Sequence, residues 1–401
     1  MKTDCDILIV GAGPAGLSLA CSLAGSGLDV VLVEQAPLET LENPAADGRA
    51  IALNHASMEM LEGLDVAQRF PPEMISQLRK AVVLDGKSDY SLVFDSGARN
   101  AGELGWLVHN HAIRQALFAS FSDRKAGRLI TGVRAERIRP LGHGHAVSLS
   151  DGTEQTASLL VAADTRFSAI RRQMGISAFM HDFGRTMIVC DMAHELPHDG
   201  TALECFFHGI TVATLPLAGN HSSIVLTIPS HEADRIMAQK PEALARDVEG
   251  WLSGRLGSLE LNGQRHPYPL VAVYAHAFHA SRFALIGDAA VGMHPVTAHG
   301  FNFGLLSQHL LSGEILRAHR AGRDIGEQAL LARYDRAHRL ATFGLFHATN
   351  GIASLYANDA PPARFLRGAG LRIANNLPFF RQSVVARLTK GLSPQPARRP
   401  F

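Results

Sequence analysis

Between Asp6 and Glu34 the chain reads DILIVGAGPAGLSLACSLAGSGLDVVLVE, and this stretch constrains the fold more than any other. Ile7 to Val10 is an unbroken apolar run of the kind a strand buried on both faces shows. Gly11, Gly13 and Gly16 follow in G-x-G-x-x-G spacing. The first permits a tight turn, the second lets backbone approach a pyrophosphate, and the third lets a helix pack close to the strand. The spacing predicts a helix over Leu17 to Ala24 whose N–H groups and dipole face the anion. A second apolar run, Val30 to Val33, ends on Glu34, a carboxylate placed to accept hydrogen bonds from two ribose hydroxyls. Strand, helix, strand and terminal acid together point to a dinucleotide crevice. An acid at that place favours an unphosphorylated ribose, hence FAD or NAD before NADP.

At 401 residues the chain is too long for one ordinary core, so two domains are expected. A net charge of +1 with no basic block speaks against a nucleic-acid partner. The four cysteines form no C-x-x-C pair; Cys5 and Cys21 read as core thiols and the compartment as reducing. No signal peptide precedes the first strand and no apolar run is long enough to span a bilayer. A cytoplasmic protein is expected, with peripheral contact at the inner membrane face left open. The 20 histidines are scattered without metal-ligand spacing, so no metal is expected.

After Glu34 a loop runs to Gly48, and Arg49 stands where it returns towards the crevice. Its guanidinium suits a phosphate or a ring system, or a plain surface salt bridge. Residues 76–98 alternate around an Asp85-Gly86 turn and read as a hairpin of a second sheet. Trp106 opens a strand and a helix follows over His111 to Phe121. Val147 to Leu149 and Ser158 to Val161 flank another turn at Asp151-Gly152. Asp164, Arg166, Ser168 and Arg171 then cluster where a strand meets a helix, the place ligands collect in doubly wound sheets. Strand-like runs recur from Met187 to Ile228, and a helix over Pro241 to Arg255 separates them from Tyr268 to Tyr274. RFALIGDAAVGMHPVTAHGFNFGLLSQHLL follows: a buried strand, Gly287-Asp288, a His294-Pro295 turn, and Gly300-Phe301-Asn302 opening a long helix. The tail from Ala329 reads as helical, broken at Pro361-Pro362 and Pro378.

GAGPAG with Glu34, the middle ADTRFSAIRR and the late GDAAVGMHPVTAHGFNFGL together resemble the p-hydroxybenzoate-hydroxylase type of FAD-dependent aromatic monooxygenase. HPVTAHGFNFGL is most similar to the pattern of the ubiquinone-biosynthesis hydroxylases. The fold so implied is α/β: a Rossmann-like FAD-binding domain (1–75, 99–175 and 276–345), an inserted mixed or antiparallel β-sheet substrate domain (76–98 and 176–275), and a helical C-terminal region (346–401). By the resemblance Gly11, Gly13, Gly16 and Glu34 hold the ADP half of non-covalent FAD. Arg49, Asn110 and Asp164 of the middle motif contact the cofactor, and Asp288 meets the ribityl or pyrophosphate part. Gly300, Phe301 and Asn302 face the flavin ring. The chain departs from the family at Thr165, where a glycine is usual in a turn implicated in NAD(P)H handling.

The implied reaction hydroxylates the ring of a polyprenyl phenol or quinol, with NADH or NADPH and O2, through a C4a-hydroperoxyflavin. The site must exclude water and favour the phenolate. His294 is the candidate catalytic residue, against the reading that it only shapes its turn. A small soluble phenolic acid as substrate, an isoprenoid reductase of the same fold, and a non-catalytic FAD-binding subunit are the alternatives. A hydrophobic substrate implies membrane or lipid-carrier contact, and a homo-oligomer or biosynthetic complex stays open. Leu377 to Leu388, with Phe379 and Phe380 beside cations, is either an interfacial helix or a piece of core.

Overall fold

The computed structural model describes residues 3–85, 91–95, 102–207, 209–294 and 299–357. The first unit follows the sequence closely: β1 (Cys5–Val10), α1 (Pro14–Leu23) and β2 (Val30–Glu34). Within the expected loop a short helix forms, α2 (Leu38–Glu42), then β3 (Ala50–Leu53) and α3 (His55–Gly63), capped by the Asn54 side chain accepting from Ser57 N–H. β4 (Ile75–Leu78), β5 (Lys80–Asp85), β6 (Ser91–Asp95) and β7 (Gly105–His109) lead to α4 (Asn110–Asp123). β8 (Arg128–Thr131), β9 (Ala135–Leu141), β10 (Gly144–Leu149) and β11 (Glu154–Ala162) precede α5 (Ala169–Gln173).

The middle of the chain is mostly strand: β12 (Ala178–His194), β13 (Thr201–Phe206), β14 (Thr211–Pro216) and β15 (His221–Pro229). After α6 (Ala233–Ala238) and α7 (Pro241–Trp251) comes β16 (Leu259–Ala275). β12 and β16 are far longer than their apolar runs, because their outer halves are polar and held by pairing to each other with register shifts. β17 (His279–Ala280), β18 (Phe283–Leu285) and β19 (Val291–Gly292) return to the crevice, and α8 (Gly300–Arg320) and α9 (Gln328–Ala357) close the described chain.

Three sheets result. The first runs β17-β18-β11-β1-β2-β8, with β10 and β9 on its flank; its β18-β11-β1-β2-β8 stretch is parallel. Its strands carry Ile7, Leu8, Ile9, Val31, Leu32, Leu159 and Leu160, none with measurable exposure, as parallel strands covered on both faces require. The second sheet runs β19-β16-β12-β15-β14-β13-β5-β6, so the β5–β6 hairpin pairs beside strands more than a hundred residues later. The third is β3-β7-β4. α7 covers one face of the second sheet, burying Leu244, Ala245 and Val248 against Ile188, Cys190 and Leu226. α9 runs without a break through residues 345 and 346. No described helix is long and apolar enough to cross a membrane. The four cysteines are free and buried, and burial pushes Cys5 up to about 12 and Cys21 up to about 11, as inert core thiols behave.

Candidate active site

The crevice opens where β1, β11 and β18 end side by side. Gly11 sits at φ +107°, and a Cβ there would stand 2.5 Å from the Ala163 carbonyl oxygen. A Cβ on Gly16 would meet Gly11 O at 2.0 Å, so strand and helix touch through backbone. Gly13 differs: nothing lies within 4 Å of its Cβ position, which leaves room in front of the uncapped α1 N-terminus. Glu34 Oε2 accepts from Ala12 N–H at 2.7 Å and Oε1 from Ala36 N–H at 2.9 Å, which fixes the carboxylate over the loop.

Asp164 follows β11 beside Gly11. Its Oδ1 is buried and meets no hydrogen-bond partner among the described residues. Burial raises its pKa, against the opposing effects of Ser168 and Arg171. Arg171 is almost wholly buried and donates to the Ala289 and Arg166 carbonyls. Arg166 donates to Asp288 Oδ2 at 2.9 Å and to Val271 O at 3.0 Å, tying the crevice to β16 of the second sheet. Thr165, at negative φ, needs no glycine: its hydroxyl takes Phe167 N–H at 3.2 Å in a local turn. Gly287 packs close to Ala15 of α1 and to Gly304 of α8, so the Asp288 turn lies between two helix starts.

Arg49 and Asn110 are brought together by a residue that sequence reasoning missed, Asp47. Asp47 Oδ2 accepts from Arg49 Nη2 at 2.6 Å and from Asn110 Nδ2 at 2.7 Å. Burial would raise its pKa, but the Arg49 guanidinium and these hydrogen bonds outweigh it and hold the carboxyl below its ordinary value. Tyr268 of β16 was missed too: its hydroxyl donates to Asp47 O at 2.7 Å and its ring lies 5.2 Å beneath the Arg49 guanidinium. The Asp-Gly-Arg turn signal at 47–49 marked the place but not the partners.

Asn302 reaches back to the start of the chain, donating to Ala52 O at 2.8 Å and accepting from Asn54 N–H at 3.2 Å. Gly300 faces open space, and Phe301 packs against the main core. A cleft beside them is lined by Asn54, Met60, His299, Asn302, Phe303 and Leu345. His294 closes the described stretch after β19. It is buried, edge-on to Phe183 with ring centroids 4.7 Å apart, and burial pushes its imidazole down to about 4, so it is neutral at pH 7. Pro295 lies outside the described residues.

Residues 4–343 match the family model described as an FAD binding domain. The chain belongs to this FAD-binding family, and it is an FAD-dependent monooxygenase. Ubiquinone hydroxylase UbiM of Neisseria meningitidis is 46% identical over 97% of this chain and 85% of its own length. Ubiquinone hydroxylase UbiL of Rhodospirillum rubrum is 33% identical over 98% of this chain and 92% of its own. The crystal structure of p-nitrophenol 4-monooxygenase PnpA from Pseudomonas putida superposes with a TM-score of 0.78 at 16% identity, covering 96% of this chain and 97% of that one, a likeness of fold. The resemblance and the α/β fold expected from the sequence are borne out. The crevice of this flavoprotein also fits its cofactor: open space at Gly13, an uncapped helix start and an unpartnered Asp164 oxygen stand together where a dinucleotide needs donors, acceptors and room.

Proposed function

We propose that this flavoprotein hydroxylates the aromatic ring of a polyprenyl phenol or quinol in ubiquinone biosynthesis, using O2 and NADH or NADPH. The similarity to ubiquinone hydroxylase UbiM along nearly the whole chain carries this reading, since it spans the crevice and the second sheet alike. Bound FAD, once reduced, supplies the oxygen activation that a closed-shell phenol lacks. Gly11, Gly13, Gly16 and Glu34 hold its ADP half, Asp288 with Asp164 its middle, and Arg49, Asn110, Gly300, Phe301 and Asn302 the ring end. Asp47 and Tyr268 keep Arg49 in place. His294, neutral and buried, is a poor proton acceptor and serves by excluding water and shaping the wall with Phe183.

The division into a flavin domain (1–75, 99–175 and 276–345) and a substrate domain (76–98 and 176–275) is part of the proposal, supported by β5 and β6 pairing with the second sheet. A polyprenyl substrate also calls for contact with a bilayer or a lipid carrier. Half-exposed Phe343 and largely exposed Leu340 on α9, with Phe179 and Met180 on β12, support such a contact. The segment around Phe379 and Phe380 lies outside the described residues. The deciding experiment is aerobic turnover of a polyprenyl phenol under labelled O2, with the product analysed by mass. One labelled oxygen in the ring is expected. Label-free product points to a reductase, and turnover of soluble hydroxybenzoates alone overturns the polyprenyl substrate.

A further inference from the structure

Glu204 lies in the middle of β13 and has no part in the cofactor crevice. Its neighbours Leu203 and Cys205 pack into the core under α7. Side chains alternate along a strand, so Glu204 faces the other side of the second sheet. The register defines a row across that side: His266, Val189, Val225, Ala213, Glu204 and Val83. This is the side turned to the cofactor crevice. Gly48 packs on His266, the Ser223 hydroxyl reaches Gly48 O, and Tyr268 holds Asp47, all from the same face. Glu204 lies three strand spacings from β12, about 14 Å, with only Val225 and Ala213 between it and Val189 in the row.

Glu204 is partly accessible, yet no described residue hydrogen bonds or ion-pairs with its carboxyl. Burial alone pushes it up to about 8, so at pH 7 it is mostly protonated. The register of β13 with β14 and β5 sets this carboxyl on the side of the sheet that Gly48 and Asp47 pack against. A protonated carboxyl carries a donor and an acceptor. Set in an apolar row without a partner it is costly, unless a ligand completes its hydrogen bonds. We propose that Glu204 binds the ring hydroxyl of the aromatic substrate, holding the ring over Ala213 and Val225. This rests on the hydroxylase reading above. The carboxyl accepts a hydrogen bond from the phenolic O–H, which raises electron density on the ring without a covalent step.

The test uses the FAD-loaded enzyme and a short-chain prenyl phenol, with binding read from the perturbation of flavin absorbance. Glu204→Ala is expected to weaken phenol binding about tenfold and to lower the product formed per NAD(P)H oxidised, with FAD content unchanged. Glu204→Gln, which still donates and accepts, restores most of the binding. The methyl ether of the same phenol, which can accept but not donate, is expected to lose clearly less binding than the phenol does in Glu204→Ala. Unchanged phenol binding in Glu204→Ala, or an equal loss for the ether, overturns the assignment. Should Glu204→Ala not fold, Glu204→Gln and Glu204→Leu compared on phenol and ether decide by the same pattern. Wild type that binds the phenol through Glu204 yet never hydroxylates it removes the proposed reaction and leaves the anchor standing.

Discussion

At the β1–α1 end of the crevice the surface offered to a ligand is backbone: Gly11, Ala12 and Gly13, with Gly16 pressed onto Gly11 from behind. The side of the second sheet proposed above as the substrate floor is instead built of side chains, Glu204, Ala213, Val225 and Tyr268, from four strands spread over residues 201–275. The first surface tolerates almost no change of residue, because a Cβ fills the space that strand, helix or phosphate needs. The second tolerates many changes of shape and few of polarity. On the proposed reading, a dinucleotide is bound by a local device and a substrate by a non-local one.

The glycine loop gives the largest expected effect. Gly16→Ala sets a Cβ 2.0 Å from a backbone oxygen, an overpacking of about 1–3 kcal/mol or more, and is expected to yield insoluble or strongly destabilised protein. Gly13→Ala has no such clash and is expected to keep the wild-type melting temperature while losing at least tenfold in FAD affinity. Thermal melts and FAD titrations of both variants separate the two effects. If Gly13→Ala binds FAD as wild type does, the phosphate does not approach there.

Next come the two acids at the strand ends. Asp288→Ala is expected to weaken FAD binding by tenfold to a hundredfold, the worth of a charged hydrogen bond of about 1.5–3 kcal/mol. Asp164→Ala is expected to cost less, since burial already disfavours its charged form. Titration of the two apo-variants ranks them, and equal affinities would show that the middle motif holds the cofactor as firmly as the late one.

The nucleotide half was readable because its constraints are local: β1, α1, β2 and Glu34 follow one another within 30 residues, each with a residue type that little else explains. The hairpins β5–β6 and β10–β11 were readable from turn residues and alternation. Asp47, Tyr268 and Glu204 were not. Each looks ordinary in its own window, and its meaning comes from a partner or a face supplied by another part of the chain. Tyr268 meets Asp47 across 221 positions, and Glu204 acquires its face only when β13 pairs with β5. The outer halves of β12 and β16 escaped for the same reason, their pairing being with each other rather than encoded in an apolar run.

Two buried imidazoles extend the comparison to acid. Burial pushes His294 down to about 4 and His338, packed against Phe278, to about 3. An unfolded histidine titrates near 6.5, so the unfolded chain binds more protons below that pH. The stability each confers is full above about pH 6.5 and is lost as pH falls towards its folded value, about 2 kcal/mol apiece at pH 5. Glu204 acts with the opposite sign, since its stabilising protonated form is lost as pH rises towards 8. The clean measurement is therefore a difference. Denaturant melts at pH 7.5 and pH 5 are expected to show His338→Gln losing about 2 kcal/mol less than wild type on acidification. An identical loss in both proteins would mean that His338 is not held neutral.

The smallest expected effect lies where the two regions meet. Tyr268 meets the crevice through the hydrogen bond of its hydroxyl to Asp47 O, and its ring supports the Arg49 guanidinium. Tyr268→Phe keeps the ring and removes the hydroxyl, so the expected cost is about 1 kcal/mol of stability. Asp47 still pairs with Arg49 and Asn110 through its side chain, which Tyr268 does not touch by hydrogen bond. FAD affinity should therefore change less than threefold. Tyr268→Ala also removes the ring beneath Arg49, and it is expected to weaken FAD binding further than Tyr268→Phe does. Flavin titration and a melt of each variant read the two contributions separately. Should Tyr268→Phe lower FAD affinity as much as Asp288→Ala, the floor and the glycine loop would be one cooperative unit, and changes to the floor could not be made without cost to the cofactor.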